Sequence, residues 1–247
     1  MKISILTPAY NAGNYIERAI LSVAFQDYTN WEHIVVDGMS TDNTPHIISK
    51  YNHIKYTREP DNGQSDAMNK AFELSTGDII VFLNADDEIE RGAFNKIIDY
   101  FKNNTKCNIV VGNLKVVKKK TTISKPSTDL LSILDYSKVR FPLNSVSYYY
   151  KPEVQHKIGF FPIDNHYSMD YWFLLRAYKE YKIYKIDEVL GSFHFTGVNK
   201  TSNNSSIFNE LINTSFEFAK SSFFLRMYWY MFHYGRVIGR HIQNSLK

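Results

Sequence analysis

Two rhythms of apolar residues alternate over the first half of the chain. Runs rich in β-branched residues at Ile3 to Leu6, His33 to Val36, Ile54 to Thr57, Ile79 to Leu83 and Ile109 to Val111 have the length and composition of strands. Between them, Tyr15 to Phe25, Pro45 to Tyr51, Ser65 to Leu74 and Gly92 to Phe101 space their apolar residues as helices do. Strands that are apolar on both faces and joined by helices predict an α/β fold with a mostly parallel sheet and right-handed crossovers. The alternation breaks after Asn113. Beyond it, Lys115 to Lys120 is expected to be an edge strand or hairpin with a solvated basic end, Val146 to Tyr150 and Ile183 to Ile186 are expected strands, and Tyr171 to Tyr181 an expected helix. From about Ile207 the chain turns helical and aromatic.

That pattern divides the chain into a nucleotide-binding half over residues 1–113, a half for the second substrate over 114–203, and a helical extension over 204–247. If residues 222–247 form one helix, Phe224, Tyr228, Met231, Gly235, Ile238 and Ile242 share a stripe, with Arg226, His233, Arg240 and Lys247 opposite, joined by Arg236. No acid follows Glu217. Such a helix has three candidate partners: an anionic membrane surface, its own domain, or a second subunit in a homodimer.

In open parallel sheets, ligands bind beyond the carboxyl ends of the strands. Here those ends are Thr7 to Asn11, Asp37 to Asp42, Glu59 to Gly63 and Asn84 to Asp87, all small, polar or acidic. Asp and Asn also serve as helix N-caps, which accounts for any one of these loops. Four of them on one rim point instead to a ligand. Clustered carboxylates and amides suit a hard divalent cation, Mn²⁺ or Mg²⁺, shared with substrate phosphates. No Walker glycine-lysine loop and no G-x-G-x-x-G follows the first strand, which leaves ATP hydrolysis and a nicotinamide cofactor without support.

Composition narrows the field further. At 247 residues the chain can bury one sizeable core, and a net charge of +4 is too small to argue for a nucleic-acid partner. A lone cysteine, Cys107, excludes an internal disulfide frame and a cysteine-rich metal knuckle. The opening residues, Met1 to Pro8, hold too short an apolar run for a secretory signal, and no run of about 18 apolar residues exists to span a membrane. Cytoplasm, at the inner face of the cell membrane if the last helix docks there, is the expected location.

Three stretches carry a family resemblance: "ILTPAYNAGNYIERAILSVAFQDYTNWEHIVVDGMSTDNT", "DNGQSDAMNKAFELSTGDIIVFLNADDE" and "FFPIDNHYSMDYWFLLRA". Their order and content resemble the family 2 glycosyltransferases of bacterial surface-polysaccharide assembly, over roughly residues 1 to 200. The resemblance implies the GT-A nucleotide-sugar fold, a nucleotide-sugar donor, by resemblance a UDP-sugar, and a saccharide or polyprenyl-linked glycan acceptor. It also implies roles for particular residues. Thr7, Pro8, Ala9, Tyr10 and Asn11 match the first nucleotide-contacting loop, and Asp37, Gly38 and Ser40 the segment that reads base and ribose. Gly63, Asp66 and Asn69 fall in a third nucleotide-side segment, and Asn84, Ala85 and Asp86 occupy the Asp-x-Asp metal motif. Asn84 replaces the first acid, so the metal load falls on Asp86. Asp170 matches the catalytic base, and His194 resembles a histidine that sometimes completes the metal site.

Those residue types suit transfer with inversion, in which one carboxylate takes the proton of the attacking hydroxyl while a cation stabilises the departing diphosphate. Bland readings remain for several of them. Asp170 heads a helix that it could cap, His194 lies between Phe193 and Phe195 as a packed strand histidine would, and Asp87 could serve only to bond backbone. Two other functions are compatible with the fold: a non-catalytic saccharide-binding or membrane-docking module, and a sugar-nucleotide pyrophosphorylase. The latter needs a glycine-rich basic loop after the first strand, where this chain has Tyr10, Asn11, Ala12 and Gly13.

Overall fold

A computed structural model describes residues 1–197, residue 199 and residues 204–245, with side chains of the last segment described over 206–235. The first half follows the alternation in the sequence. β1 (Ile3–Ala9), α1 (Ile16–Ala24), β2 (Trp31–Asp37), α2 (Thr44–Ile48), β3 (Ile54–Arg58), α3 (Gln64–Glu73), β4 (Ile79–Phe82) and α4 (Ala93–Asn103) appear in that order, with a short β5 (Glu88–Ile89) before α4. Strands β3, β2, β1 and β4 lie side by side and all parallel; β1, β2 and β4 are buried on both faces, and β3, at the edge, is largely exposed.

The second half makes the sheet mixed. β6 (Ile109–Val117), β7 (Thr122–Ser124), α5 (Leu130–Leu134), β8 (Tyr148–Tyr150), α6 (Pro152–Ile158), α7 (Met169–Glu180) and β9 (Ile183–His194) complete it before α8 (Asn204–Ala219) and α9 (Phe223–Ser245). The sheet order is β3-β2-β1-β4-β8-β6-β9-β5, with β7 paired to β6. β8 runs antiparallel to both β4 and β6, and so joins the parallel half to the rest. The basic hairpin is present: β6 and β7 pair antiparallel around the exposed Lys118, Lys119 and Lys120.

Two strands run further than the apolar pattern indicates. β6 continues past Val111 to Val117, and β9 past Ile186 to His194, because the two pair in parallel along most of their length. The acids that break the apolar run, Asp187 and Glu188, sit where the register shifts, and Asn113 Nδ2 donates to Asp187 Oδ1 at 2.8 Å. A bulge lets a strand carry such residues outward without ending.

Helices cover both faces. α1 and α4 bury Ala19, Val23, Phe94, Ile97 and Phe101 on one side. On the other, α3, α5, α6 and α7 enclose Met68, Ile133, Val154, Phe173 and Leu174, and Phe218 of α8 and Trp229 of α9 join the same core. Full burial of such side chains contributes about 1.5–3 kcal/mol each.

α9 departs from the stripe anticipated above. Among its described residues it buries Leu225 and Trp229, while Phe224 and Met231 stand in solvent and Tyr228 is half-buried. Trp229 Nε1 donates to Ser215 Oγ of α8 at 2.8 Å, and His233 Nδ1 lies 2.8 Å from the Tyr136 hydroxyl. His233 therefore faces the domain rather than the outer side. The side chains of Arg236, Ile238, Arg240, Ile242 and Lys247 lie outside the described residues.

Candidate active site

Strand register brings the first three loops to one rim. Ala9 pairs with Asp37, and Asp37 with Arg58, so β1, β2 and β3 end together. Both loops that turn away use left-handed backbone, at Asn11 (φ 47°) and Met39 (φ 64°). They are cross-tied: Asn11 N donates to Ser40 Oγ at 2.8 Å, and Thr41 N donates to Asn11 Oδ1 at 2.9 Å. Asp37 is buried beneath them, accepting from Ser40 N at 2.9 Å and the Tyr56 hydroxyl at 2.7 Å, with Arg58 Nε 3.4 Å away. A Cβ on Gly38 would come 2.2 Å from Asp61 Oδ2, so any side chain there would displace the Asp61 carboxylate.

The other rim residues divide into those that face solvent and those that build the wall. Tyr10 is 66% exposed and Asn11 also faces out. Thr7, Pro8 and Ala9 are buried in β1, with Thr7 Oγ1 2.9 Å from His33 Nε2. Gly63 (φ 107°) opens α3, and Asp66 in its first turn accepts from Asn62 N at 2.9 Å. Asn69 is a clamp: Nδ2 donates to Phe161 O at 2.9 Å and Oδ1 accepts from Phe161 N at 2.8 Å. Its amide thus holds the chain that leads to the second-half helix.

The acids after β4 form a network. Asn84 Oδ1 accepts from Gln64 Nε2 at 2.9 Å, and its Nδ2 donates to Asp87 Oδ2 at 3.0 Å. Ala85 is buried among Ala9, Ala12 and Ile16. Asp87 is fully buried and takes two further bonds, from Asn144 Nδ2 at 2.7 Å and His194 N at 3.2 Å. Burial and the adjacent Asp86 carboxylate push its pKa up to about 7, against these three donors. Asp86 is half-buried; Asn199 Nδ2 donates to its Oδ2 at 2.6 Å, and burial raises its pKa too. Arg18 braces the turn, donating through Nη2 to the Asp86 carbonyl at 2.6 Å and approaching Glu88 Oε1 at 3.0 Å through Nε. His194 Nε2 lies 2.6 Å from the same Glu88 oxygen, and burial, then Arg18, lower its pKa.

Among the described residues, no group of three or more His, Cys, Asp or Glu side chains is arranged to hold a metal ion. The donor set still fits a cation in a limited way. Asp86 and Asp87 are neighbouring acids whose ionisation is opposed by burial and by each other, and a positive charge beside Asp86 relieves both effects. Such an ion would need most of its oxygens from its ligand and from water, which is how Mg²⁺ is commonly held.

Asp170 lies in the first turn of α7, where Ser168 is the N-cap residue and neither residue makes a side-chain cap bond. Its Oδ1 accepts from the Tyr148 hydroxyl at 2.6 Å. Burial raises the Asp170 pKa, and the Tyr148 bond holds it back. The preceding loop is held from two sides. Tyr167 N donates to Glu210 Oε2 of α8 at 2.8 Å, and Ser65 Oγ of α3 donates to Asn165 O at 3.3 Å.

Two short bridges join the acid cluster to Asp170. Within residues 144–148, Asn144 bonds Asp87 and Tyr148 bonds Asp170. At the start of α3, Gln64 bonds Asn84 while Ser65 bonds the loop before Asp170. A rim of two backbone loops, a half-buried acid and a separately held carboxylate therefore meet at one end of the sheet. Sequence reading missed Arg18, Asn144, Tyr148 and Asn199, since nothing local marks a partner so distant along the chain.

Over 104 residues the chain is 36% identical to the putative teichuronic acid biosynthesis glycosyltransferase TuaG of Bacillus subtilis, covering 40% of this chain and 41% of that protein. Over 127 residues it is 32% identical to WfgD of Escherichia coli, a UDP-Glc:alpha-D-GlcNAc-diphosphoundecaprenol beta-1,3-glucosyltransferase, covering 50% and 49%. The chain thus spans about half or less of the length of these relatives. Its fold is that of the GT-A glycosyltransferases. Staphylococcus aureus TarS in complex with UDP superposes with a TM-score of 0.72 at 21% identity, over 93% of this chain and 68% of that one. The Mycobacterium tuberculosis glucosyl-3-phosphoglycerate synthase, in complex with Mn²⁺, UDP and glucosyl-3-phosphoglycerate, gives 0.63 at 19% identity, over 87% and 80%. The family model for Glycosyl transferase family 2 matches residues 4–161, and the chain belongs to that family.

Proposed function

We propose that this protein transfers a sugar, with inversion, from a nucleoside-diphosphate donor to a saccharide or lipid-linked saccharide acceptor in surface-polysaccharide assembly at the cytoplasmic side of the membrane. The observation that carries the reading is the convergence of the Asp86 rim and Asp170 through residues 144–148. Residues 1–113 would hold the donor, residues 114–203 the acceptor, and 204–247 would support the acceptor side. UDP is the favoured nucleotide, since solved relatives hold UDP or UDP-GlcNAc.

Tyr10 and the crossed loops at Asn11 and Ser40 would take the base and ribose, with Asp37 setting the loop from below. Asp86 would hold Mn²⁺ or Mg²⁺, whose contribution when bound is to stabilise the charge developing on the diphosphate. His194, paired to Glu88, is placed to tune that end of the site rather than to act alone. Asp170 would accept the proton of the acceptor hydroxyl. As that oxygen bonds to the anomeric carbon, the bond from carbon to the diphosphate breaks and the nucleoside diphosphate leaves. One displacement inverts the configuration, so an α-linked donor gives a β-linked product.

A non-catalytic module would also bind nucleotide, so turnover separates the two readings. A screen of nucleotide sugars by thermal unfolding, with and without Mn²⁺, identifies the donor first. A ligand at 100 times its Kd stabilises the native state by about 2.7 kcal/mol. Release of nucleoside diphosphate on adding acceptor then establishes catalysis, and binding without release would support the module.

A further inference from the structure

α9 carries an apolar face turned away from the protein. Phe223 is 71% exposed, Phe224 63%, Met227 55%, Met231 67% and Tyr234 55%. At about 100° per residue, these five side chains fall within one arc of roughly 100°. The opposite arc is the one already used: Leu225 and Trp229 are buried against the domain, and His233 stacks on Trp229 with ring centroids 4.4 Å apart. Packing on its own domain therefore accounts for one side of this helix and leaves the other uncovered by any described residue.

We propose that this outer face lies on the surface of an anionic lipid bilayer, with α9 parallel to the membrane plane. The reading goes beyond the catalytic proposal and does not depend on it. Charge selects the occupant. No acid follows Glu217, Lys220 is paired with Glu217 at 2.6 Å, and among the described side chains of α9 the exposed cation is Arg226. A second copy docked through the same face would bring Arg226 no carboxylate, whereas anionic headgroups attract it. Arg226 is exposed at the flank of the stripe, with its guanidinium 5.9 Å from the Phe223 ring centroid. An arginine beside phenylalanine is the arrangement expected of a helix whose rings enter the acyl boundary while its cations stay at the headgroups.

α9 runs for 23 residues, about 34 Å. Among the described residues, no helix is long and apolar enough to cross a membrane, so α9 would rest on the bilayer rather than span it. Docking would also orient the acceptor side. α9 is bonded to α8 through Trp229 and Ser215, and α8 holds the loop before Asp170 through Glu210 and Thr214. A bilayer under α9 would thus fix the attitude of that loop toward acceptors that are themselves lipid-anchored.

The test is co-sedimentation of the full chain with vesicles of phosphatidylcholine alone, and with vesicles in which about one third is phosphatidylglycerol, a fraction chosen to give a negative surface potential. Two variants, Met227→Glu with Met231→Glu, and Phe223→Ser with Phe224→Ser, change exposed side chains only, so their melting temperatures should match the wild type. The wild type should pellet with the anionic vesicles and about tenfold less with phosphatidylcholine, and both variants should lose about tenfold or more of the anionic binding. Equal pelleting of wild type and variants, or no binding of wild type to anionic vesicles, would overturn the proposal. A dimer that both variants dissociate, in a protein that ignores vesicles, would assign the face to a second copy instead.

Discussion

The Tyr148 hydroxyl donates to Asp170 Oδ1 at 2.6 Å, and Tyr148 is fully buried, so the proposed base is held by a side chain that cannot move without disturbing the core. Burial raises the Asp170 pKa and this bond opposes the rise by favouring the charged form. Tyr148→Phe removes the donor and should push the pKa further up. The base form is then lost at a higher pH, and the acid limb of kcat/KM should move to higher pH with most of the alkaline plateau retained. A purely structural role for the hydroxyl would lower the plateau and leave the limb in place.

His33 gives a second pH dependence, in stability rather than rate. It is fully buried, and burial, with His53 nearby, lowers its pKa from 6.5 to about 3. In the folded state it stays neutral where the unfolded chain would protonate it, so the unfolded state binds more protons between those values. Stability should therefore fall as pH drops from about 6.5 toward 3, by on the order of 4–5 kcal/mol from this group. His33→Gln retains a partner for Thr7 without the titration. Urea unfolding at pH 7 and pH 5 should show a smaller loss in the variant, and equal losses would remove His33 from the account.

The first half of the fold was legible because β1, β2 and β4 are buried on both faces and the helices repeat their apolar residues on one side, as Ala19, Ile20 and Val23 do in α1. The second half was less so. β9 crosses Asp187 and Glu188, which end an apolar run but not a strand held by β6, and the five residues of α5 are too few to show a helical period. In α9 both faces are apolar, so periodicity alone could not tell the buried Leu225 and Trp229 from the exposed Phe224 and Met231. The candidate site was legible as a set of loops. Its bonding was not, because Asn84 is held by Gln64, Asp87 by Asn144 and Asp86 by Asn199, pairs that only folding brings together.

Asp86 should control binding of the donor diphosphate. It is half-buried, and the neighbouring network of Asp87 with Asn84, Asn144 and His194 does not run through its side chain, so Asp86→Ala should fold normally. Calorimetry with UDP should show the Mn²⁺-dependent part of the affinity reduced by more than about tenfold, as loss of an anionic donor to a divalent ion requires. An unchanged Mn²⁺ dependence would move the cation elsewhere.

The central claim is that Asp170 is the general base of a sugar transfer whose donor is held on the neighbouring Asp86 rim. Asp170→Asn preserves size and can still accept from Tyr148, but it cannot take up a proton. The deciding measurement pairs the transfer rate of this variant, with the donor found by the thermal screen, with its UDP affinity. Loss of a general base lowers the rate by about 10²- to 10⁴-fold. The account predicts a fall of that size in kcat with near-normal UDP affinity, and transfer at the wild-type rate would contradict it.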